Sequence, residues 1–178
     1  MLPLGMVILT SQRLLLQELQ LHDLDVLTEL CMDEEITKYM DYIKRDSKEE
    51  VSKWLEEMIK YNSADPRKSY NFAVIENSSG TMVGWIGIGE PDKEGRGDMD
   101  FGYAILKQFQ GRGYASEALK SLLEFAITLP GINTITGECD EMNLASEKVM
   151  LKAGIKFASV TNDVDGITKH FSFSKLVK

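Results

Sequence analysis

Long apolar runs, metal-binding clusters and an excess of positive charge are all missing from this 178-residue chain. No stretch approaches the roughly 20 apolar residues of a membrane-spanning helix. The opening MLPLGMVILT is short, has no basic flank and runs straight into Ser11-Gln12-Arg13, so it reads as the start of a first strand, not a signal peptide. The two cysteines, Cys31 and Cys139, and the two histidines, His22 and His170, fit no metal spacing, and no metal is expected. The cysteines read as reduced, buried thiols of a cytoplasmic protein. Cys139 as a catalytic thiol stays open, although no histidine lies near it in sequence. His22, beside Asp23 at a helix start, reads as structural.

Lysine and arginine number 20 against 28 acidic residues, a formal net charge of −8. That balance argues against nucleic acid and anionic membranes as partners. It tolerates cationic ones, such as amines or basic proteins. The Gly-Lys-Ser/Thr ending of a Walker loop is absent, and so is the spacing of a dinucleotide fingerprint. With 43% hydrophobic and 27% charged residues and no repeat or linker, positions 1–178 read as one domain.

What is present centres on Asp98 to Ala126. Met99–Leu106 is apolar and aromatic enough for a buried strand. Gln110-Gly111-Arg112-Gly113-Tyr114-Ala115 makes a glycine-rich turn. Ala115, Ala118, Leu119, Leu122, Leu123 and Ala126 then form one helical stripe. The opening amides of such a helix have no intrahelical partner, and the dipole adds partial positive charge. Glycines let that backbone close on a phosphate. A tight strand–helix connection without a ligand is the plainer alternative.

Gln110-x-x-Gly113-x-Ala115 resembles the acyl-CoA pyrophosphate motif of the GNAT acetyltransferases. Phe101-Gly102-Tyr103, Gly113 to Ala118, and Asn143-x-x-Ser146 followed by Lys152-Ala153-Gly154 are similar to the RimJ/RimL-type branch. That branch acetylates N-terminal α-amines of ribosomal proteins and includes small-amine and drug acetyltransferases. The likeness runs from Ser11 to Leu176. It implies an α/β (α+β) domain with a mixed, mostly antiparallel sheet and helices on both faces. Two central parallel strands, here Met99–Leu106 and Ile132–Cys139, would splay apart.

Along the chain, Arg13–Leu19 reads as a first strand, and Leu24, Leu27 and Cys31 mark a helix. Asp33 to Met40 suggests a second helix. Ser47-Lys48-Glu49-Glu50 is a capping box that opens a helix carrying Val51, Trp54, Leu55, Met58 and Ile59. That stripe reads as core, with Trp54 or Met58 bordering the acceptor as the family alternative. Tyr70–Glu76 and Met82–Gly89 form a hairpin, and Pro91–Gly97 a second hairpin loop. Pro130-Gly131 breaks the chain before Ile132–Cys139. Asn143 is placed as an N-cap and Gly154 just past a helix end. Lys156–Val160 and Thr168–Leu176 close the domain around Asp163 to Gly166.

The resemblance implies an acetyl-CoA-dependent N-acetyltransferase. The diphosphate would sit on amides from Gly111 to Ser116, within Gln110, Gly111, Arg112, Gly113, Tyr114, Ala115 and Ser116. The pantetheine arm would run along Ala104, Ile105 and Leu106, with one amide polarising the thioester carbonyl, and Asn143 would bond the arm. Asp100 and Glu138 are the base candidates. Neutralising an α-amine at pH 7 costs about 1 kcal/mol and a lysine about 4.6 kcal/mol, so a weak or water-mediated base serves an α-amine. The superfamily's tyrosine acid is replaced by Met150, and Ser146, one turn earlier, becomes the group expected to bond the sulfur. Each also has a plainer role: solvated strand-edge charges for the carboxylates, a helix cap for Asn143, a first-turn residue for Ser146. A non-catalytic acyl-CoA-binding domain and a partner-binding domain with an empty loop are the competing classes. The acceptor stays open between a protein N-terminus and a small amine such as a polyamine or antibiotic, and the assembly between monomer and homodimer.

Overall fold

The structure is a computed structural model describing residues 6–90, 98–164 and 166–174. The expected loop at 91–97, Asp165 in the last turn and the end of the last strand at 175–176 lie outside the described residues.

Eight strands form one sheet in the order β1-β2-β3-β4-β5-β6-β8-β7. These are β1 (Ile8–Thr10), β2 (Leu14–Glu18), β3 (Ser69–Glu76), β4 (Met82–Gly89), β5 (Met99–Ile105), β6 (Thr134–Asp140), β7 (Lys156–Asp163) and β8 (Gly166–Ser174). β5 and β6 are the parallel pair; all other neighbours are antiparallel. The helices are α1 (Leu24–Met32), α2 (Glu34–Thr37), α3 (Lys48–Asn62), α4 (Tyr114–Ala126) and α5 (Leu144–Lys152).

Alternation along the strands divides the core into two layers. Odd positions of β5, Met99, Phe101, Tyr103 and Ile105, pack with α4 and α5. On the other face, Ala73, Trp85 and Ala104 pack with Leu27, Leu30, Val51, Trp54 and Leu55 of α1 and α3. Trp54 meets Trp85 edge to face, with ring centroids 5.4 Å apart. The expected apolar stripe of α4 is realised: Ala118, Leu119, Leu122, Leu123 and Ala126 are all buried.

Three sequence expectations change in detail. The first strand is two: Ser11 Oγ accepts the Leu14 amide at 3.0 Å and turns β1 back onto β2. The second helix is one turn, Glu34–Thr37, with Asp33 accepting from the Glu35 and Ile36 amides. Ser47 caps α3 by accepting the Glu50 amide at 3.2 Å, but the Glu50 carboxylate returns to the amide of Asp46. An acid at this position still satisfies an opening donor, one residue earlier than a strict capping box.

β5 and β6 stay in register for only two pairs, Met99↔Ile135 and Asp100↔Thr136, and then part. The Phe101 ring fills the space over Gly137, where an added Cβ would collide with the ring carbons. It also stacks on Tyr103, with centroids 6.3 Å apart and planes within 13°. Gly137→Ala is therefore expected to overpack the divergence and destabilise the domain by about 1–3 kcal/mol. A denaturant midpoint equal to wild type would show that the ring moves aside freely.

Candidate active site

The parting strands open a cleft of about 1050 Å³. Its floor on the α1/α3 side follows the sheet register. Asn71, Gly87 and Gly102 make one row, and Ser69, Gly89 and Asp100 the next. Three glycines leave that floor nearly bare. The Tyr42 hydroxyl sits directly over Gly102, where any Cβ would strike it. The Tyr42 residue is 58% exposed, but desolvation of its hydroxyl in the cleft, and then the neighbouring Asp100, Tyr103 and Glu138, push the phenol above its ordinary range, so it stays a neutral donor.

The glycine turn closes the opposite end. Gly111 and Gly113 have φ of +74° and +81°, a backbone region that side chains strongly disfavour. Gly113 is the N-cap of α4, and the first helical bond there runs from the Glu117 amide to its carbonyl at 3.1 Å. The opening amides of α4 thus precede any intrahelical acceptor, an arrangement able to receive an anion. The turn is braced from outside. Gln110 Nε2 donates to the Ile105 carbonyl at 2.9 Å, pinning the exit of β5. Arg112 donates to the Gln108 carbonyl at 2.9 Å and lies over the Phe109 ring. Tyr114 is buried and its hydroxyl donates to Glu76.

The first turn of α4 is also latched to the β1–β2 turn. Glu117 accepts from Ser11 Oγ at 2.7 Å and from the Arg13 amide and Nε at 2.8 and 2.7 Å. Burial would raise the Glu117 carboxyl, but these donors outweigh it and hold it below its usual range. Arg13 Nη1 reaches on to the Arg112 carbonyl at 3.0 Å, so one ion pair fixes both sides of the turn.

Of the predicted residues, Ala104, Ile105, Gln110, Gly111, Gly113, Tyr114, Ala115, Ser116 and Asn143 line the cleft, as do Asp100, Glu138 and Ser146. Leu106 and Arg112 do not: Leu106 is buried and its amide is given to the Val83 carbonyl at 2.9 Å. Asn143 caps α5, its Oδ1 accepting the Ser146 amide at 3.1 Å. Ser146 Oγ stands 2.8 Å from the hydroxyl of Tyr103, which sequence reasoning had not singled out. Burial, outweighing the Ser146 hydrogen bond, pushes the Tyr103 phenol above its ordinary range. Alternation along β5 carried the signal, since it places Tyr103 on the face opposite Asp100.

Three sequence questions close here. Met150 is fully buried and lines no part of the cleft. Cys139 does line it, but burial pushes its thiol up to about 11, so it is protonated at neutral pH and unsuited to nucleophilic attack. His22 is exposed beside Asp23 at 3.5 Å, away from the cleft. Among the described residues no His/Cys/Asp/Glu group could hold a metal ion, and no helix is long and apolar enough to cross a membrane.

The family model "Acetyltransferase (GNAT) domain" matches residues 13–156. The uncharacterized N-acetyltransferase p20 of Bacillus licheniformis is 28% identical over 142 residues, 80% of this chain and 78% of the relative. Two solved structures share the fold. The ribosomal L7/L12 α-N-protein acetyltransferase RimL, in complex with coenzyme A, superposes with a TM-score of 0.79 at 17% identity, covering 94% of this chain and 98% of that one. AAC(6')-Ib, in complex with paromomycin and acetyl-CoA, gives 0.74 at 16% identity, covering 92% and 94%.

Proposed function

The chain belongs to the GNAT acetyltransferase family, and from that premise we propose that it transfers the acetyl group of acetyl-CoA to the N-terminal α-amine of a protein, in the manner of the RimJ/RimL branch. The observation that carries this reading is one cleft with three kinds of chemistry. A helix N-terminus with two left-handed glycines lies at one end. Carboxylates line one wall and a paired phenol and serine the other.

The residues fit the co-substrate. Open space surrounds Gly111, with nothing within 4 Å of an added Cβ, so a diphosphate can approach the amides from Gly111 to Ser116. Beyond Asp100, β5 has left β6, and its backbone at Ala104 and Ile105 borders the cleft as a strand edge for the pantetheine amides. The incoming amine loses its proton toward Asp100 or Glu138, directly or through water. Its nitrogen attacks the thioester carbonyl, the C–N bond forms and the C–S bond breaks. Ser146, held by Tyr103, donates a hydrogen bond to the departing sulfur, and the proton that the nitrogen sheds on becoming an amide goes to the thiolate, leaving both hydroxyls intact.

An α-amine suits this wall. Glu138 is 39% exposed and so reachable by an acceptor, and an α-amine asks only about 1 kcal/mol for neutralisation at pH 7. A small polycationic amine is the second reading, favoured by Glu35, Asp100 and Glu138 lining one cleft. The test is acetyl-CoA turnover with peptides of free N-terminal serine or alanine, spermidine and an aminoglycoside, read by thiol release and product mass. Acetylation at the peptide α-amine is expected. Release with the small amines alone would move the assignment to the second reading, and no release with any acceptor would refute the transferase role.

A further inference from the structure

The sequence presents His170 as a lone histidine, but the fold gives it two partners. β6 and β8 pair with Glu138 opposite His170. His170 Nδ1 lies 3.7 Å from Glu138 Oε2, and His170 Nε2 lies 2.8 Å from Thr161 Oγ1 on β7. The three side chains share the sheet face that Asp100 occupies, because they sit at matching alternate positions of neighbouring strands. Glu138 lines the cleft and His170 stands behind it, with 24% of its side chain exposed. Lys169 falls on the opposite face, where it pairs with Glu147 at 2.8 Å. Across the cleft, Asp100, Tyr103 and Glu138 all act on the Tyr42 hydroxyl, which puts these titratable groups around one space.

We propose that His170 is a positioning residue for Glu138: its Nδ1 faces the carboxylate at 3.7 Å, an ion-pair separation that shortens to a hydrogen bond when the carboxylate turns to the incoming amine, while Thr161 fixes the ring by donating to Nε2. The assignment rests on the reading of Glu138 as a base for the incoming amine. Three physical points lead to it. An ionised carboxylate accepts and never donates, so it selects the Nδ1–H tautomer of a facing imidazole. That tautomer leaves Nε2 as an acceptor, which the Thr161 hydroxyl satisfies. A general base is useful only when held within reach of the proton it takes, and each contact that fixes a glutamate's torsions serves that aim. In metal sites, side chains that orient a ligand change affinity or activity by about 10–100-fold when removed, and the lower end of that range is the scale expected for orienting a base.

The whole protein tests this without an acceptor. Nitrogen-15 correlation spectra at neutral to mildly alkaline pH are expected to show the His170 ring proton on Nδ1, with His22 as an internal reference, and Thr161→Val is expected to scramble the tautomer. A dominant Nε2–H form in the wild type overturns the proposal. Kinetics then use the N-terminal-serine peptide, or spermidine if that alone turns over. H170L is expected to lower kcat about tenfold with the KM for acetyl-CoA unchanged. H170N, which keeps a donor at the Nδ1 position, is expected to recover most of that loss, and H170Q, which places its amide toward Thr161, is not. In an E138Q background the H170L change is expected to have no further effect. If E138Q slows turnover and H170L does not, the positioning role is refuted and the base assignment survives. If E138Q itself turns over at the wild-type rate, the base assignment fails and the proposal falls with it.

Discussion

Gly111→Asp is expected to weaken coenzyme A binding about 100-fold or more while leaving the fold intact. Gly111 has φ of +74°, is exposed, and has nothing within 4 Å of an added Cβ. Aspartate and asparagine tolerate that backbone region better than other side chains. The loss of stability is therefore held to about 1 kcal/mol. Binding is another matter, because the new carboxylate would face the diphosphate. At an effective dielectric of about 20, two like charges 4 Å apart repel by about 4 kcal/mol. Salt screening at an exposed turn reduces this, and about 100-fold remains a conservative figure. Gly111→Asn separates charge from shape: it is nearly isosteric and neutral, and is expected to lose no more than about tenfold, the equivalent of 1.4 kcal/mol. Titration calorimetry with coenzyme A measures both. Aspartate and asparagine variants of equal affinity would show that no anion is held at this turn.

Removing both carboxylates, Asp100→Asn with Glu138→Gln, is expected to lower kcat/KM about 100-fold or more at pH 7, within the range of general base catalysis. The loss is expected to shrink as pH rises, since an amine that arrives neutral needs no base. The pH at which the variant stops gaining on the wild type then reports the acceptor. An α-amine levels off near pH 8 and an alkylamine only above about pH 10. The profile of a damaged enzyme thus identifies the class of its substrate. A double variant with a wild-type profile would remove both residues from proton transfer and leave water as the base.

The turn that binds the proposed diphosphate was legible in the letters because three independent local rules agree there. An apolar, aromatic run over Met99–Leu106, glycines that free the backbone of the turn, and a 3.6-residue stripe in α4 each act within a few residues. Asn143 was legible for the same reason, since an N-cap is a local device. The Ser11 turn was missed because its cause is a side chain replacing a backbone partner, which leaves the apolar pattern uninterrupted. Tyr103 and His170 were missed because their roles depend on contacts between separate elements, and Tyr42 because it lies in a turn and reaches Gly102 only through the tertiary fold. Tyr103 meets Ser146 only through the α5–β5 packing, and His170 meets Glu138 only because β8 inserts between β6 and β7. Periodicity says which face a residue takes and is silent about who stands opposite.

The aromatic ring of Phe101 has one more effect. With that ring lodged over Gly137, the two strands are propped apart by the same atoms that fill the core beneath them. The slot is already parted, and a thioester proposed to lie there would meet walls with little freedom left to give up. Much of the entropy that docking usually costs has already been surrendered during folding. An enzyme so built should capture its donor quickly, and the slow step of its cycle should lie after that capture.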